Sequence, residues 1–343
     1  MHKIGKLITS IWFEKKFAYY FMWPLLKPLS CLFFYISHRR REQFLNGTRS
    51  VYHAPVPVII VGNITVGGNG KTPVVIWLVE TLQSLGYKIG VVSRGYGGKA
   101  PAYPYLVTDK SPSQYSGDEP LLIKQRTGAC MAVSPARSDA VKLLVQEKVD
   151  FIIADDGLQH YALARDMELA VIDGERRYGN SALLPLGPLR EPVSRLNNVD
   201  FRICNGGSAQ NNEVSMSLVA HQLVNLRTGE TCFPEQLSHC IAIAGIGSPQ
   251  RFFDTLQSLN TPLDACYPLN DHQFLSLEQL MDYTKQGTNL LMTEKDAVKC
   301  RPLIEQAVDK SLFNHLWYLP VSAVFDTEKA QQIIDKIIGL KMT

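Results

Sequence analysis

A chain of 343 residues is longer than one ordinary core fills, because single cores stop growing at about 250 to 300 residues, so two lobes are expected. Its 45% hydrophobic and 20% charged residues exclude the polar bias of a disordered protein. Net charge is only +3, yet residues 1–50 carry +7 and the remainder −4, so the amino-terminal segment favours an anionic partner, a membrane surface or nucleic acid. The cysteines Cys31, Cys130, Cys204, Cys232, Cys240, Cys266 and Cys300 form no C-x-x-C pair and no zinc-ligand spacing, which points to a reduced, cytosolic compartment. In that compartment the acceptor-like triplets at Asn46 and Asn63 carry no weight as glycosylation sites.

The first predicted element is a membrane foot. Between Trp12 and Ile36 the aromatics Phe13, Phe17, Tyr19, Tyr20, Phe21, Trp23, Phe33, Phe34 and Tyr35 are broken by Glu14, Lys15, Lys16, Pro24, Lys27 and Pro28. A spanning helix needs about 20 mostly apolar residues, and a cleaved signal needs small residues after a compact apolar run; neither pattern is present. With His38-Arg39-Arg40-Arg41 closing the segment, an amphipathic helix lying in the headgroup plane is expected. A helix packed on the main domain and a short span are the alternatives.

Val58-Ile59-Ile60-Val61 reads as a buried parallel strand that ends at Gly62-Asn63. The loop Thr65, Val66, Gly67, Gly68, Asn69, Gly70, Lys71, Thr72 and Pro73 follows, and then a helix with apolar positions at Val75, Leu78, Val79 and Leu82. Glycines let successive N–H groups curl around phosphate oxygens, and the helix amino terminus adds partial positive charge. Lys71 is placed to reach the β- and γ-phosphates, Thr72 to put its hydroxyl on Mg2+, and Pro73 suits a first helical turn. The usual first glycine is replaced by Thr65, so the loop matches the double-glycine variant of the motif.

A nucleotide site also needs carboxylates at the end of another buried strand. Phe151-Ile152-Ile153-Ala154 leads into Asp155-Asp156-Gly157, the Walker B arrangement. Gly117-Asp118-Glu119-Pro120 and Pro188-Leu189-Arg190-Glu191-Pro192 are acidic clusters in loop-like text, and Asp271 precedes a predicted helix as a possible cap. From about Val214 a second α/β lobe begins, with a strand pair in 215–226, strands at Ile241–Ala244, Asn289–Met292 and Leu316–Leu319, and a closing helix around Lys329 to Ile338. Gly245-Ile246-Gly247 lacks the third glycine of a dinucleotide fingerprint and reads as a helix cap.

Together the loop Val66 to Pro73, Ser93-Arg94-Gly95-Tyr96-Gly97, Gly117 to Pro120, Asp155 to His160, Leu186 to Glu191, Asp271-His272 and Thr293-Glu294-Lys295-Asp296 make the chain resemble the tetraacyldisaccharide 4'-kinase family over nearly its whole length. The resemblance implies a P-loop NTPase-like parallel-sheet domain at 46–213 and a smaller α/β lobe at 214–343 joined by a two-stranded linker, after a membrane-associated segment at 1–45. It implies transfer of the γ-phosphoryl group of ATP to the 4'-hydroxyl of a tetraacylated glucosamine disaccharide 1-phosphate, forming lipid IVA at the cytoplasmic face of the bacterial inner membrane. Position by position, Asp118 becomes the catalytic carboxylate working with His272. Glu119, Glu191, Thr72 and Asp156 become the magnesium environment, and Arg94, Tyr96, Arg137 and Arg190 lie near nucleotide or substrate. A lipid disaccharide and an anionic membrane surface are the expected partners, with no nucleic acid and no obligate protein partner.

The competing reading is a double-glycine-loop NTPase acting as a membrane-associated switch or adaptor. Thr293-Glu294-Lys295-Asp296 is similar to a guanine-reading motif, but that motif separates its lysine and aspartate by one residue, whereas Lys295 and Asp296 are adjacent. An adaptor has no need of the loop carboxylates and His272, and a kinase for a soluble metabolite has no need of the foot.

Overall fold

The computed structural model describes residues 8, 10–14, 17–210, 212–271, 273–285, 288–307 and 310–341. His272 lies outside the described residues. The first lobe is built on β1 (Val58–Gly62), β2 (Ile89–Ser93), β3 (Tyr105–Val107), β4 (Cys130–Val133), β5 (Phe151–Asp155), β6 (Met167–Asp173), β7 (Phe201–Asn205) and β8 (Glu213–Ala220). The second is built on β9 (Leu223–Asn225), β10 (Thr231–Cys232), β11 (Cys240–Ala244), β12 (Leu263–Pro268), β13 (Asn289–Thr293) and β14 (Leu316–Leu319). A last strand, β15 (Val321–Phe325), returns to the first sheet.

Runs such as Val58-Ile59-Ile60-Val61 become strands because β-branched side chains fit a pleated surface covered on both faces. Every residue of β1, β2, β5 and β6 is buried. The nine-stranded sheet has the order β15-β8-β7-β6-β1-β5-β2-β4-β3. Ile59 and Val61 face a core that includes Val75, Leu78, Val79 and Leu82 of helix Lys71–Ser84, while Val58 and Ile60 face Ala140, Val141 and Leu144 of helix Arg137–Gln146. Each fully buried Ile, Leu or Val contributes about 1.5–3 kcal/mol. The parallel register sets Val61 beside Asp155, so the end of β1 and the acidic end of β5 emerge together.

The second sheet is six-stranded, in the order β10-β9-β14-β13-β11-β12. The sequence assigned all of 214–343 to this lobe, and the structure divides that stretch differently. β8 pairs in parallel with β7, β15 pairs antiparallel with β8, and both extend the first sheet. Helix Thr327–Gly339 then buries Ile333, Ile334 and Ile337 in the first core, where its apolar stripe finds a matching surface. The second lobe is thus an insertion carried out and back on a two-stranded ribbon.

The amino-terminal helix Phe17–Leu45 runs 29 residues with Pro24 and Pro28 inside it. Its apolar side chains spread around the exposed circumference instead of forming one stripe: Phe21 is 74% exposed, and Tyr20, Leu25, Leu32, Tyr35 and Ile36 are also exposed. The amphipathy expected around the helix therefore runs along it, from apolar residues to His38-Arg39-Arg40-Arg41. Ser30 donates to the Leu183 carbonyl at 2.9 Å, and the Trp12 indole donates to that of Pro185 at 3.0 Å. Among the described residues no helix is long and apolar enough to cross a membrane.

A candidate phosphoryl-transfer site between the lobes

The glycine loop leaves β1 and is braced before helix Lys71–Ser84 begins. Val66 N–H donates to the Pro188 carbonyl at 2.9 Å, and the Asn69 amide donates to Thr65 Oγ1 at 2.6 Å. Asn69 is buried and turned inward, which removes it from the face where phosphates would lie. Gly70 has φ +87°, and a Cβ there would sit 2.3 Å from Asn205 Nδ2, so only glycine fits the turn into the helix. Lys71 Nζ lies 3.5 Å from Asp156 Oδ1.

The two Walker B acids are treated differently. Asp155 is the last residue of β5, 1% exposed, and its Oδ1 is buried without a hydrogen-bond partner. Burial, reinforced by the negative charge of Glu119, pushes its pKa up to about 7. Asp156, one residue on, stands at φ +49°, an uncommon conformation that the surroundings must hold. Arg190 grips its carboxylate at 3.0 and 2.8 Å. Burial opposes ionisation of Asp156, but Lys71 and Arg190 outweigh it and hold the group far below the usual carboxylate range. Arg137 donates to the Asp156 carbonyl at 2.7 Å and the Asp155 carbonyl at 3.3 Å. Arg137 and Arg190 are therefore both engaged with the acidic turn. His160 follows it, its pKa lowered to about 4 by burial and then by Arg137, which keeps the ring neutral.

Glu191 lies in a buried polar layer: Tyr161 O–H donates to one of its oxygens and Gln159 Nε2 to the other at 2.7 Å, with Arg195 Nε at 3.8 Å. Burial, and then the Glu191 charge, pushes the Tyr161 phenol up to about 12. Arg94 and Tyr96 stand exposed just past β2. Gly117, at φ +84°, backs onto that turn so closely that a Cβ would meet the Tyr96 carbonyl at 2.4 Å. This close approach sets Asp118, 3% exposed, at the start of helix Asp118–Thr127.

The second lobe reaches this region through the first turn of helix Glu294–Gln306. Glu294 accepts from Arg126 at 2.9 and 3.1 Å, and Lys295 Nζ stands 3.2 Å from Glu119 and 3.1 Å from Asp271. Burial works against the Lys295 charge, but Glu119 and Asp271 outweigh it and raise the pKa. Asp296 accepts from Gly245 N–H at 2.9 Å and from Thr293 Oγ1 at 2.7 Å, which accounts for Gly245 as a loop contact. Gly247 comes against the glycine loop, where a Cβ would lie 3.2 Å from Gly68 N.

The family model for tetraacyldisaccharide-1-P 4'-kinase matches residues 22–339. The chain belongs to this family. A tetraacyldisaccharide 4'-kinase of Aliivibrio fischeri (strain MJ11) is 56% identical, covering 98% of this chain and 100% of that one. A Vibrio cholerae tetraacyldisaccharide 4'-kinase is 55% identical, covering 96% of each. The crystal structure of LpxK from Aquifex aeolicus in complex with ATP aligns with TM-score 0.72 and 25% identity over 90% of this chain and 97% of that one. The chain is accordingly a 4'-kinase of lipid A biosynthesis with a parallel-sheet nucleotide fold.

In this 4'-kinase the fit to ATP and Mg2+ rests on particular atoms. Gly68 has nothing within 4 Å of where a Cβ would be, so no side chain crowds that side of the loop. The orphaned Asp155 Oδ1 is a hard oxygen donor that lacks a partner, and the Thr72 hydroxyl is carried on the first helical turn. Among the described residues no cluster of three or more His, Cys, Asp or Glu could hold a metal by itself. Mg2+ is held by one or two carboxylates together with phosphate oxygens and water. The sequence reading places Asp156 in the magnesium environment; in the structure its carboxylate is held by Lys71 and Arg190, whereas Asp155 Oδ1, at the end of the buried strand, has no hydrogen-bond partner.

Proposed function

We propose that this chain transfers the γ-phosphoryl group of ATP to the 4'-hydroxyl of a tetraacylated glucosamine disaccharide 1-phosphate, with Asp118 accepting the hydroxyl proton as the new O–P bond forms and the bond to ADP breaks. One observation carries the reading: Lys71 meets the Asp155–Asp156 turn at the carboxyl ends of adjacent strands, and Glu119, next to Asp118 at a helix start, is near enough for its charge to raise Asp155. A sugar hydroxyl is a poor nucleophile, and a placed carboxylate contributes roughly 10²- to 10⁴-fold. His272 is assigned to orient Asp118. Lys71 meets charge on the β- and γ-phosphates, while Arg190 and Arg137 hold the Asp155–Asp156 turn in its uncommon conformation. Thr72 and Asp155 are the groups that would hold Mg2+, which supplies charge neutralisation on the phosphates. Glu119 flanks them, and Glu191 stiffens the layer behind.

The membrane reading rests on the exposed apolar surface of helix Phe17–Leu45 followed by three consecutive arginines. Such a helix dips its apolar length below the headgroups and meets phosphates with the exposed Arg39 and Arg40, while Arg41 lies over the Tyr161 ring, at the cytoplasmic face of the inner membrane where ATP is available. The deciding experiment supplies ATP, Mg2+ and the 4'-dephosphorylated lipid A precursor and identifies the product. Asp118→Asn and His272→Ala should each slow turnover strongly with ATP binding kept, and the double variant should be little worse than the poorer single one. Fully multiplicative losses would end the dyad assignment, and phosphate released only to water would favour the switch reading.

A further inference from the structure

The Thr293-Glu294-Lys295-Asp296 motif is not absorbed by nucleotide binding, and its residues divide their work. Thr293 and Asp296 hold their own lobe together through Gly245, whereas Glu294 and Lys295 point across to helix Asp118–Thr127. Their targets on that helix, Arg126 and Glu119, are seven residues apart, two turns along one face. Two consecutive second-lobe residues thus grip both ends of the helix that begins with Asp118. The ends differ. At the far end Arg126 also binds Ser322 of β15 at 2.8 Å and Glu80 at 3.4 Å, so that contact is tied to the ribbon joining the lobes. At the near end Lys295, with a side chain only 14% exposed, bridges one carboxylate from each lobe. Without its charge, two carboxylates no more than about 6 Å apart would repel across the cleft.

We propose that Lys295 is a positioning residue for phosphoryl transfer: by neutralising Glu119 and Asp271 it draws the 270–273 turn of the second lobe onto the Asp118 helix, with the Glu294–Arg126 pair as the fixed pivot. Glu119 adjoins Asp118 and Asp271 adjoins His272, so the bridge sets the separation of the two groups assigned to the acceptor hydroxyl. The inference builds on that assignment.

The test uses the full-length protein. Lys295→Met keeps the stem and removes the charge, and misplacement of reacting groups by about 1 Å costs up to about 10²-fold. The variant should lose about 10- to 100-fold in kcat with the KM for ATP within about threefold of the parent. Lys295→Arg, which still bridges two carboxylates, should recover most of the loss. Adding Asp271→Asn to Lys295→Met should raise kcat above that of the single variant, because one of the repelling charges is gone. Raising salt from about 0.05 to 0.5 M should narrow the gap between the variant and the parent, since screening weakens the repulsion. Hydrogen exchange read without acceptor should show faster exchange over 118–123 in Lys295→Met and parent-like exchange over 71–84. If kcat in Lys295→Met is parental, or salt and Asp271→Asn bring no recovery, or exchange over 118–123 is unchanged, the positioning role is overturned. The exchange result needs no turnover, so it stands apart from the fate of Asp118: a parental rate in Asp118→Asn would end the general-base reading while leaving the bridge measurable.

Discussion

The nucleotide side and the acceptor side of this cleft are built on different terms. Around the glycine loop, Asp155 and Asp156 stand at the end of β5, Lys71 and Arg137 begin helices packed on the two faces of the same sheet, and Arg190 comes from a loop tied to the Ile64 carbonyl, so all are placed by one sheet whose register is fixed by buried side chains. On the acceptor side, Asp118 and Glu119 belong to the first lobe and Asp271 and Lys295 to the second, held across a gap by ion pairs. A site made of one sheet is preorganised by its core. One made across two lobes is assembled by electrostatics, which are weaker and respond to salt. Substitutions on the first side should therefore change chemistry at constant architecture, and those on the second should change architecture first.

The largest effect is expected from Lys71→Ala, about 10³-fold in turnover with circular dichroism unchanged, because its charge is aimed at the phosphates. A rate within tenfold of the parent would remove the distinction just drawn.

Asp155→Asn should cost about 10²-fold in turnover and at the same time stabilise the protein at high pH. The Asp155 pKa is raised on folding from 3.8 to about 7. Stability is then fully present below the unfolded pKa and is lost as pH rises toward the folded value, since over that range the unfolded chain gives up a proton that the folded one still holds. The variant lacks that penalty. In scanning calorimetry its stability relative to the parent should rise by about 2–3 kcal/mol between pH 5 and pH 8. No gain at pH 8 would mean that the carboxylate is already compensated.

Breaking the pivot with Arg126→Leu leaves the Glu294 carboxylate without the nitrogen that donates to both its oxygens, at a cost of about 2 kcal/mol in chemical denaturation. Turnover should fall less than in Lys295→Met if the pivot mainly holds the lobes together. Smallest of all, Tyr161→Phe removes one donor to Glu191 behind the site and should cost about 1 kcal/mol with turnover within about threefold. A larger loss would move Glu191 from the supporting layer into the chemistry.

The strand, glycine loop and helix at 58–84 were legible because the pattern is local: β-branched burial, the turn residues and the first helical turn all lie within one short stretch. The acidic end of β5 was legible for the same reason, and the family resemblance followed from several such stretches together. Which of the two acids is gripped by an arginine was not, because Arg190 is 34 residues from Asp156 in sequence and beside it in space. The helix Thr327–Gly339 was visible as an amphipathic pattern, but a pattern names a face and not the surface that covers it, and only the folded chain sends it back to the first sheet.

Sequence by itself thus determined the elements, the nucleotide loop and the family, since each depends on neighbours a few residues away. Tertiary structure alone decided that Lys295 meets Glu119 across 176 residues, because a charge specifies a sign and a reach while the fold chooses its partner.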